Sequence, residues 1–229
     1  MIDRLRHGAL AFTRHIPYTL VLPQGYSAAR PWPLVVALHG MGHTEELMRR
    51  FMGPLLERPW IWAFPRGPHS FEMRQPEKIR IGHAWYHFDG DQDALRRSMQ
   101  ETAAHLLNLH DLLRKDYPVA STAVVGFSQG GYMAGYVAPR NPERFRAAAC
   151  LGGRIKHEFL QDAPRAVALA QFHGEKDENV SPAMAREALE KCAALGFEDT
   201  HFYSDPDAGH EVSAPMVTEL GKWLERVLA

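Results

Sequence analysis

Ser128 lies in a glycine-rich stretch, VVGFSQGGYMAG, with Gly126, Gly130 and Gly131 around it. An apolar segment precedes this serine and a helix-like segment follows it. This is the G-x-S-x-G arrangement, in which a sharp strand-to-helix turn strains the serine backbone and projects its hydroxyl out of the sheet. Bulkier residues two places on either side would collide with neighbouring backbone. The pattern predicts a nucleophile at Ser128, and its alternative is a glycine-rich turn with an incidental serine.

A second short motif, His39-Gly40-Met41-Gly42, follows another apolar segment. Small residues allow a sharp turn that presents the N–H of Met41. An acyl-transfer enzyme needs two N–H donors for the developing oxyanion, one from such a loop and one from the residue after the nucleophile. We therefore predict that the backbone N–H groups of Met41 and Gln129 form an oxyanion hole. We interpret His39 as a structural residue of the loop, and core filling is the alternative for Met41.

A nucleophilic serine needs a histidine as base, and the histidine needs a carboxylate that fixes its tautomer. His210 lies on a glycine-containing loop after an apolar segment, and Asp177 lies in a charged run after another. Glu175 and Glu178 belong to the same run and compete with Asp177 for the role. The order Ser128, Asp177, His210 is the one in which the triads of α/β sheet hydrolases occur.

The elements that must position these residues are apolar strands alternating with helices. Such alternation predicts one domain built on a mostly parallel sheet with helices on both faces, and sites form at the carboxyl ends of its strands. The segment 68–90 is predicted to be a long irregular loop, and loops of that length are usually functional. The predicted strands are 16–23, 33–40, 60–67, 121–127, 145–153, 165–174 and 199–205, and the predicted helices are 92–115, 129–139, 181–196 and 213–229.

The chain resembles the α/β-hydrolase superfamily, and within it the phospholipase/carboxylesterase branch that includes acyl-protein thioesterases. The segments LHGMG, GFSQGG, HGEKDENV and DAGH carry the resemblance over nearly the whole chain, with AWYHFD as a weaker match. The resemblance implies an α/β-hydrolase fold without a separate cap domain. It also implies Ser128, Asp177 and His210 as a triad, with Met41 and Gln129 as the oxyanion hole. His43 departs from the branch, which commonly has an acidic residue there.

These observations predict a serine hydrolase that cleaves carboxylic esters through an acyl-enzyme, with thioesters left open as a second substrate class. The substrate is expected to be a small ester or acyl compound. The loop residues Phe71, Met73, Trp85 and Tyr86, together with Met41, are expected to wall an apolar acyl pocket, with ordinary packing under the long loop as the alternative. Rival functions are a lysophospholipase, a peptidase, or a non-catalytic member of the fold that binds a ligand.

Composition limits the classes of partner. The formal net charge of −1 gives no reason to expect nucleic acid or an anionic membrane as partner, and no apolar run is long enough to cross a bilayer. Residues 1–20 lack the apolar core of a signal peptide, so we expect them to belong to the mature protein. Cys150 and Cys192 are too few for a disulfide framework and favour buried free thiols in the cytoplasm. A homodimer is left open.

No cofactor or metal is predicted. His83 and His87 have a spacing that would suit a metal on a helix, but the glutamate of the H-E-x-x-H motif is missing and the segment is predicted to be a loop. The glycines around Ser128 lack the Lys-Ser/Thr ending of a phosphate-binding loop, so no nucleotide is implied.

Overall fold

The structure is a computed structural model that describes Gly8 and residues 14–229. The expectation that residues 1–20 belong to the mature protein therefore falls largely outside the described residues. None of the described helices combines the length and the apolar character needed to cross a bilayer.

Nine strands are present in the described residues, and seven of them form the central sheet. In chain order the strands are β1 (Tyr18–Val21), β2 (Trp32–Leu38), β3 (Ile61–Pro65), β4 (His69–Gln75), β5 (Lys78–Ala84), β6 (Val119–Phe127), β7 (Ala147–Leu151), β8 (Ala168–Gly174) and β9 (Thr200–Asp205). The sheet has the order β1-β3-β2-β6-β7-β8-β9. Within this seven-stranded sheet only β1 is antiparallel to its neighbour, β3, and all other neighbouring strands are parallel. The predicted mostly parallel sheet is therefore confirmed.

Helices cover both faces of the sheet: α1 (Glu45–Phe51), α2 (Gln92–Asp116), α3 (Gln129–Val137), α4 (Pro182–Ala194) and α5 (Ala214–Leu228). One apolar core lies between the sheet and α2, α3 and α4, and a second lies between the opposite face and α1 and α5. Strands such as β7 and β8 are buried at every residue, because helices pack on both of their sides. This explains why they appear in the sequence as continuous apolar runs.

Residues 69–84 form an antiparallel hairpin of β4 and β5, so the predicted irregular loop over 68–90 is wrong in this part. The two residues of the turn, Pro76 and Glu77, lack the Asn-Gly or Asp-Gly signal that usually marks a two-residue hairpin. The exposed strands also carry many charged side chains. The turn therefore gave no signal, but the segments FEMR in β4 and KIRI in β5 alternate apolar and charged residues, which is the period-two pattern typical of strands.

The base of the hairpin is joined to the loop after β2. The N–H of Gly42 donates to the carbonyl of His83 over 2.8 Å, and His43 pairs with His83 as an isolated bridge. A Cβ added at Gly82 would lie 2.8 Å from the Cα of Gly42, so glycine is required for this close approach. The hairpin thus lies beside the carboxyl ends of the central strands.

Helix α1 was not predicted. It is only seven residues long, which is too short for a helical period to stand out. Its N-cap is Thr44, whose side chain accepts a hydrogen bond from the N–H of Leu47. It follows the loop after β2 directly, so it helps to fix that loop.

Candidate active site

Ser128 lies between the end of β6 and the start of α3, with φ of 50° and ψ of −117°. It is the only non-glycine residue with positive φ among the described residues. The turn is tight: a Cβ at Gly126 would lie 2.2 Å from the carbonyl of Gly130, and a Cβ at Gly130 would lie 2.4 Å from the carbonyl of Leu38. Side chains at these glycines would push the turn apart. The glycines around Ser128 therefore permit the strained turn that exposes its hydroxyl.

His210 bridges Ser128 and Asp177. Its Nε2 lies 3.0 Å from Oγ of Ser128, and its Nδ1 lies 2.8 Å from Oδ2 of Asp177. A carboxylate oxygen can only accept, so Nδ1 carries the hydrogen and Nε2 is free to accept from the serine hydroxyl. The loops after β6, β8 and β9 thus bring together three side chains that are far apart in the sequence.

The Asp177 carboxylate is buried and well supplied with donors. Its Oδ1 accepts from the N–H groups of Asn179 and Val180, each over 2.9 Å. Burial opposes ionisation, but the donors on Val180, His210 and Asn179 outweigh it and hold the pKa of Asp177 below its ordinary value. Glu175 and Glu178 are exposed. Of the three acidic residues in this run, Asp177 is the one that contacts His210.

His39 braces the loop after β2. Its Nδ1 donates to the carbonyl of Gly40 over 2.8 Å, and its Nε2 accepts from the N–H of Gly67 over 2.9 Å. Burial lowers the pKa of His39 to about 4, so the ring stays neutral and keeps one donor and one acceptor. This arrangement agrees with the interpretation of His39 as structural.

The N–H groups of Met41 and Gln129 have no acceptor within the described part of the chain. Both residues line the same cavity as Ser128. Gln129 is the first residue of α3, where N–H groups have no partner inside the helix and the helix dipole favours negative charge. The two amides are therefore available to a ligand oxygen near Ser128.

A cavity of about 500 Å³ opens beside Ser128. Met41, Phe71 and Tyr86 line it, and their role as walls of an acyl pocket stays a prediction. The sequence analysis did not identify the remaining lining side chains, which are Ala84, His87, Phe88 and Tyr132. Phe88 is 55% exposed, which places it at the mouth of the cavity. It belongs to the segment AWYHFD, whose weaker match to the family was the one signal that could have pointed to it.

Trp85 and Met73 do not line this cavity, contrary to expectation. Trp85 is completely buried, and its Nε1 donates to the carbonyl of His39 over 2.7 Å. Met73 points at Gly42 instead: its Sδ would lie 2.9 Å from a Cβ at that glycine. Trp85 and Tyr86 are adjacent in the chain and point to different sides, whereas Met73 lies two residues beyond Phe71 on the same face of β4 and contacts Gly42 instead of the cavity.

The side chain of Gln129 connects the segment after the hairpin to the nucleophile turn. Its Oε1 accepts from the N–H of Trp85 over 2.8 Å, and its Nε2 donates to the carbonyl of Tyr86 over 2.9 Å. Sequence reasoning assigned only the backbone of Gln129. The buried amide side chain is satisfied at both ends, as a buried polar group needs to be.

The two histidines that were considered as metal ligands lie in different surroundings. His83 is buried in β5, and His87 lines the cavity, where its ring lies 4.5 Å from that of His69. Within the described residues there is no group of three or more His, Cys, Asp or Glu side chains that could hold a metal ion.

Comparisons with known proteins show the family and the fold of the chain. Residues 26–228 match the family model described as Phospholipase/Carboxylesterase. No curated protein matches the sequence. Similar solved structures include Zea mays acyl-protein thioesterase 2, which is 23% identical with a TM-score of 0.74 over 94% of this chain and 100% of that one. Esterase PE8 is 23% identical with a TM-score of 0.77, over 93% of this chain and 99% of that one. A Bacillus cereus carboxylesterase is 14% identical with a TM-score of 0.66, over 93% and 94%. The expected α/β-hydrolase fold is thereby confirmed.

Proposed function

Because the chain belongs to the phospholipase/carboxylesterase family of α/β-hydrolases, we propose that it is a serine hydrolase that cleaves carboxylic esters through an acyl-enzyme. The observation that carries this proposal is the hydrogen-bonded series Ser128, His210, Asp177 at a strained turn that opens into the cavity. A binding module would have no use for all three groups in this order.

In the first step, Oγ of Ser128 attacks the substrate carbonyl carbon while Nε2 of His210 takes the serine proton. The carbonyl oxygen becomes an oxyanion, which accepts hydrogen bonds from the N–H groups of Met41 and Gln129. Asp177 keeps the imidazole in the required tautomer and stabilises the imidazolium. His210 then gives the proton to the leaving alcohol, and the acyl group remains on Ser128.

In the second step, His210 removes a proton from water, and the resulting hydroxide attacks the acyl-enzyme carbonyl. The same two amides hold the second oxyanion. Collapse of this intermediate returns the proton to Ser128 and releases the carboxylic acid. The route uses only groups of this chain, and no cofactor enters it.

We assign the cavity beside Ser128 to the acyl chain, because Met41, Phe71 and Phe88 give it apolar walls. Thioesters belong to the same proposal, since acyl transfer to serine differs only in the leaving group and a similar structure is an acyl-protein thioesterase. Cys150 and Cys192 are both buried free thiols, and burial raises the pKa of each to about 12. Inert thiols of this kind fit our expectation of a cytoplasmic location.

The test is labelling with a fluorophosphonate probe, which reacts with activated serines. The wild-type protein should label and should hydrolyse p-nitrophenyl esters. Ser128→Ala should not label, and its residual rate should be roughly 10³–10⁴ over water if the oxyanion hole is intact. Ser121→Ala, at a serine near the opposite end of β6 from the turn, serves as the matched control. Full labelling of Ser128→Ala would overturn the assignment.

Graded panels of esters, thioesters and lysophospholipids then separate the rival enzyme activities. Absence of labelling and turnover in the wild-type protein would favour the non-catalytic alternative.

A further inference from the structure

A second histidine lies against the carboxylate of Asp177. His173 is in β8, is completely buried, and takes no part in the steps described above. Its Nε2 lies 2.8 Å from the carbonyl of Val180 and 3.2 Å from Oδ2 of Asp177. The oxygen it approaches is the same one that accepts from His210.

The tautomer of His173 follows from its partners. The carbonyl of Val180 can only accept, so Nε2 of His173 carries the hydrogen. Its Nδ1 lies 3.3 Å from Nε2 of Gln171, which also donates to the carbonyl of Gly153 over 2.8 Å. Nδ1 is therefore the acceptor. The Nε2–H of His173 faces the end of the Asp177 loop and lies next to the carboxylate.

The hydrogen bond from His173 to Val180 fixes the loop that follows β8. The carbonyl of Val180 is held by His173, and the N–H of Val180 in turn donates to Oδ1 of Asp177. Oδ1 is thus fixed through the backbone of the loop, while Oδ2 lies between the imidazoles of His173 and His210. Both oxygens depend on the position of one buried side chain.

We infer that His173 is a positioning residue for the proposed reaction: it fixes the Asp177 carboxylate in the orientation that His210 requires. The inference rests on the proposed triad. A positioning role differs from a role in folding alone, because under a positioning role the contact between Asp177 and His210 changes when the N–H of His173 is lost. A role in folding would change only the stability of the protein.

Other ionisable groups also face this site. Tyr132 on α3 lies near Asp177, and His43 lies near His210. Glu175 and Glu178, on the same loop as Asp177, are exposed. These groups are unchanged in the variants proposed below, so differences between those variants report on His173.

The test compares three substitutions. His173→Leu removes the donor. His173→Gln keeps an N–H near the position of Nε2, because a glutamine amide reaches about as far as that ring nitrogen. His173→Asn keeps an amide but ends near the position of Nδ1, too short to reach Val180. The Asn variant replaces the Leu variant if leucine prevents folding.

Two measurements separate positioning from stability. One is the proton NMR signal of the Nδ1–H of His210 in the hydrogen bond to Asp177, assigned by its loss in His210→Gln. The other is kcat and KM for a p-nitrophenyl ester. For Leu and Asn we expect the NMR signal to broaden or move upfield, and kcat to fall about tenfold at nearly unchanged KM. For Gln we expect the signal to return and most of kcat to be restored.

The inference is overturned if the Leu or Asn variant keeps the wild-type NMR signal, or if Gln and Asn behave alike in both measurements. The NMR comparison needs no turnover. If the wild-type protein neither labels nor hydrolyses esters, the proposed function fails, while the NMR signal still decides the role of His173.

Discussion

The side-chain oxygen of Gln129 accepts a hydrogen bond of 2.8 Å from the backbone N–H of Trp85. The residue that follows the nucleophile therefore also holds the segment that leaves the hairpin. The same tryptophan donates from its ring to the carbonyl of His39, in the loop that carries Met41. These two buried hydrogen bonds of Trp85 thus link the nucleophile turn, the oxyanion loop and the wall of the cavity.

The first prediction concerns the hydrogen bonds of the Gln129 side chain. Gln129→Ala keeps the backbone N–H proposed for the oxyanion hole but leaves two buried polar groups, the N–H of Trp85 and the carbonyl of Tyr86, without partners. Each unsatisfied group costs about 1–3 kcal/mol, so the free energy of unfolding should fall by about 2 kcal/mol or more. We expect kcat/KM to fall as well, because the cavity wall shifts. Urea denaturation and ester kinetics measure both effects. Gln100→Ala, at an exposed position of α2, is the control, and equal behaviour of the two variants would contradict the prediction.

The second prediction concerns the acid of the triad. Asp177→Asn should lower kcat by about 10⁴-fold, because the tautomer of His210 is no longer fixed. Glu175→Gln and Glu178→Gln alter exposed carboxylates of the same loop and should stay close to wild type. Steady-state kinetics decide this comparison. A larger loss at Glu175 or Glu178 than at Asp177 would move the assignment to the other residue.

The third prediction concerns selectivity for acyl length. Phe88 lines the cavity and is exposed at its mouth, whereas Trp85 is buried behind it. Phe88→Ala should lower kcat/KM more for long-chain esters than for acetate, since each lost methylene contact is worth about 0.8 kcal/mol. Trp85→Phe should reduce stability and slow all esters to a similar degree. A series of p-nitrophenyl esters provides the profile. A Phe88→Ala profile parallel to wild type would exclude Phe88 from the acyl site.

The fourth prediction concerns backbone strain at Ser128. A non-glycine residue with φ of 50° carries strain of about 1–3 kcal/mol, part of which glycine relieves. After the greater freedom of glycine in the unfolded chain is allowed for, Ser128→Gly should be more stable than Ser128→Ala by about 1 kcal/mol. At Ser121, where φ is negative, Ser121→Ala should instead be more stable than Ser121→Gly. Chemical denaturation of the four proteins tests this. The same order at both positions would show that the turn is not strained.

The fifth prediction concerns pH. The pKa of His39 is lowered to about 4 in the folded protein, against an ordinary value of 6.5. Between these values the unfolded chain binds a proton at His39 that the folded chain does not, so the stability falls as the pH is lowered from 6.5 towards 4. His39→Gln keeps one donor and one acceptor but does not titrate, so its free energy of unfolding should fall less steeply over this range. Denaturation curves at several pH values measure the slopes. Equal slopes for the wild-type protein and His39→Gln would contradict the prediction.

The sequence by itself determined the order along the chain of the seven central strands and of every helix except α1, and the candidate residues at the strand ends. Continuous apolar runs such as β7 and β8 could be predicted, because strands covered on both faces need apolar side chains at every position. Ser128, Asp177 and His210 could be proposed for a related reason. The carboxyl ends of parallel strands lie at one edge of a sheet, so residues that follow different strands meet there.

The tertiary structure decided which side chains face the cavity and which support it. Trp85 and Tyr86 are neighbours in sequence, yet one is packed against His39 and the other lines the cavity. The partners of Gln129 lie on a distant segment that no local pattern connects to it, and the turn of the hairpin lacked the residues that mark a two-residue turn. Such contacts form only when the folded chain brings atoms of separate elements within hydrogen-bonding distance, and that depends on how the elements pack and in which register.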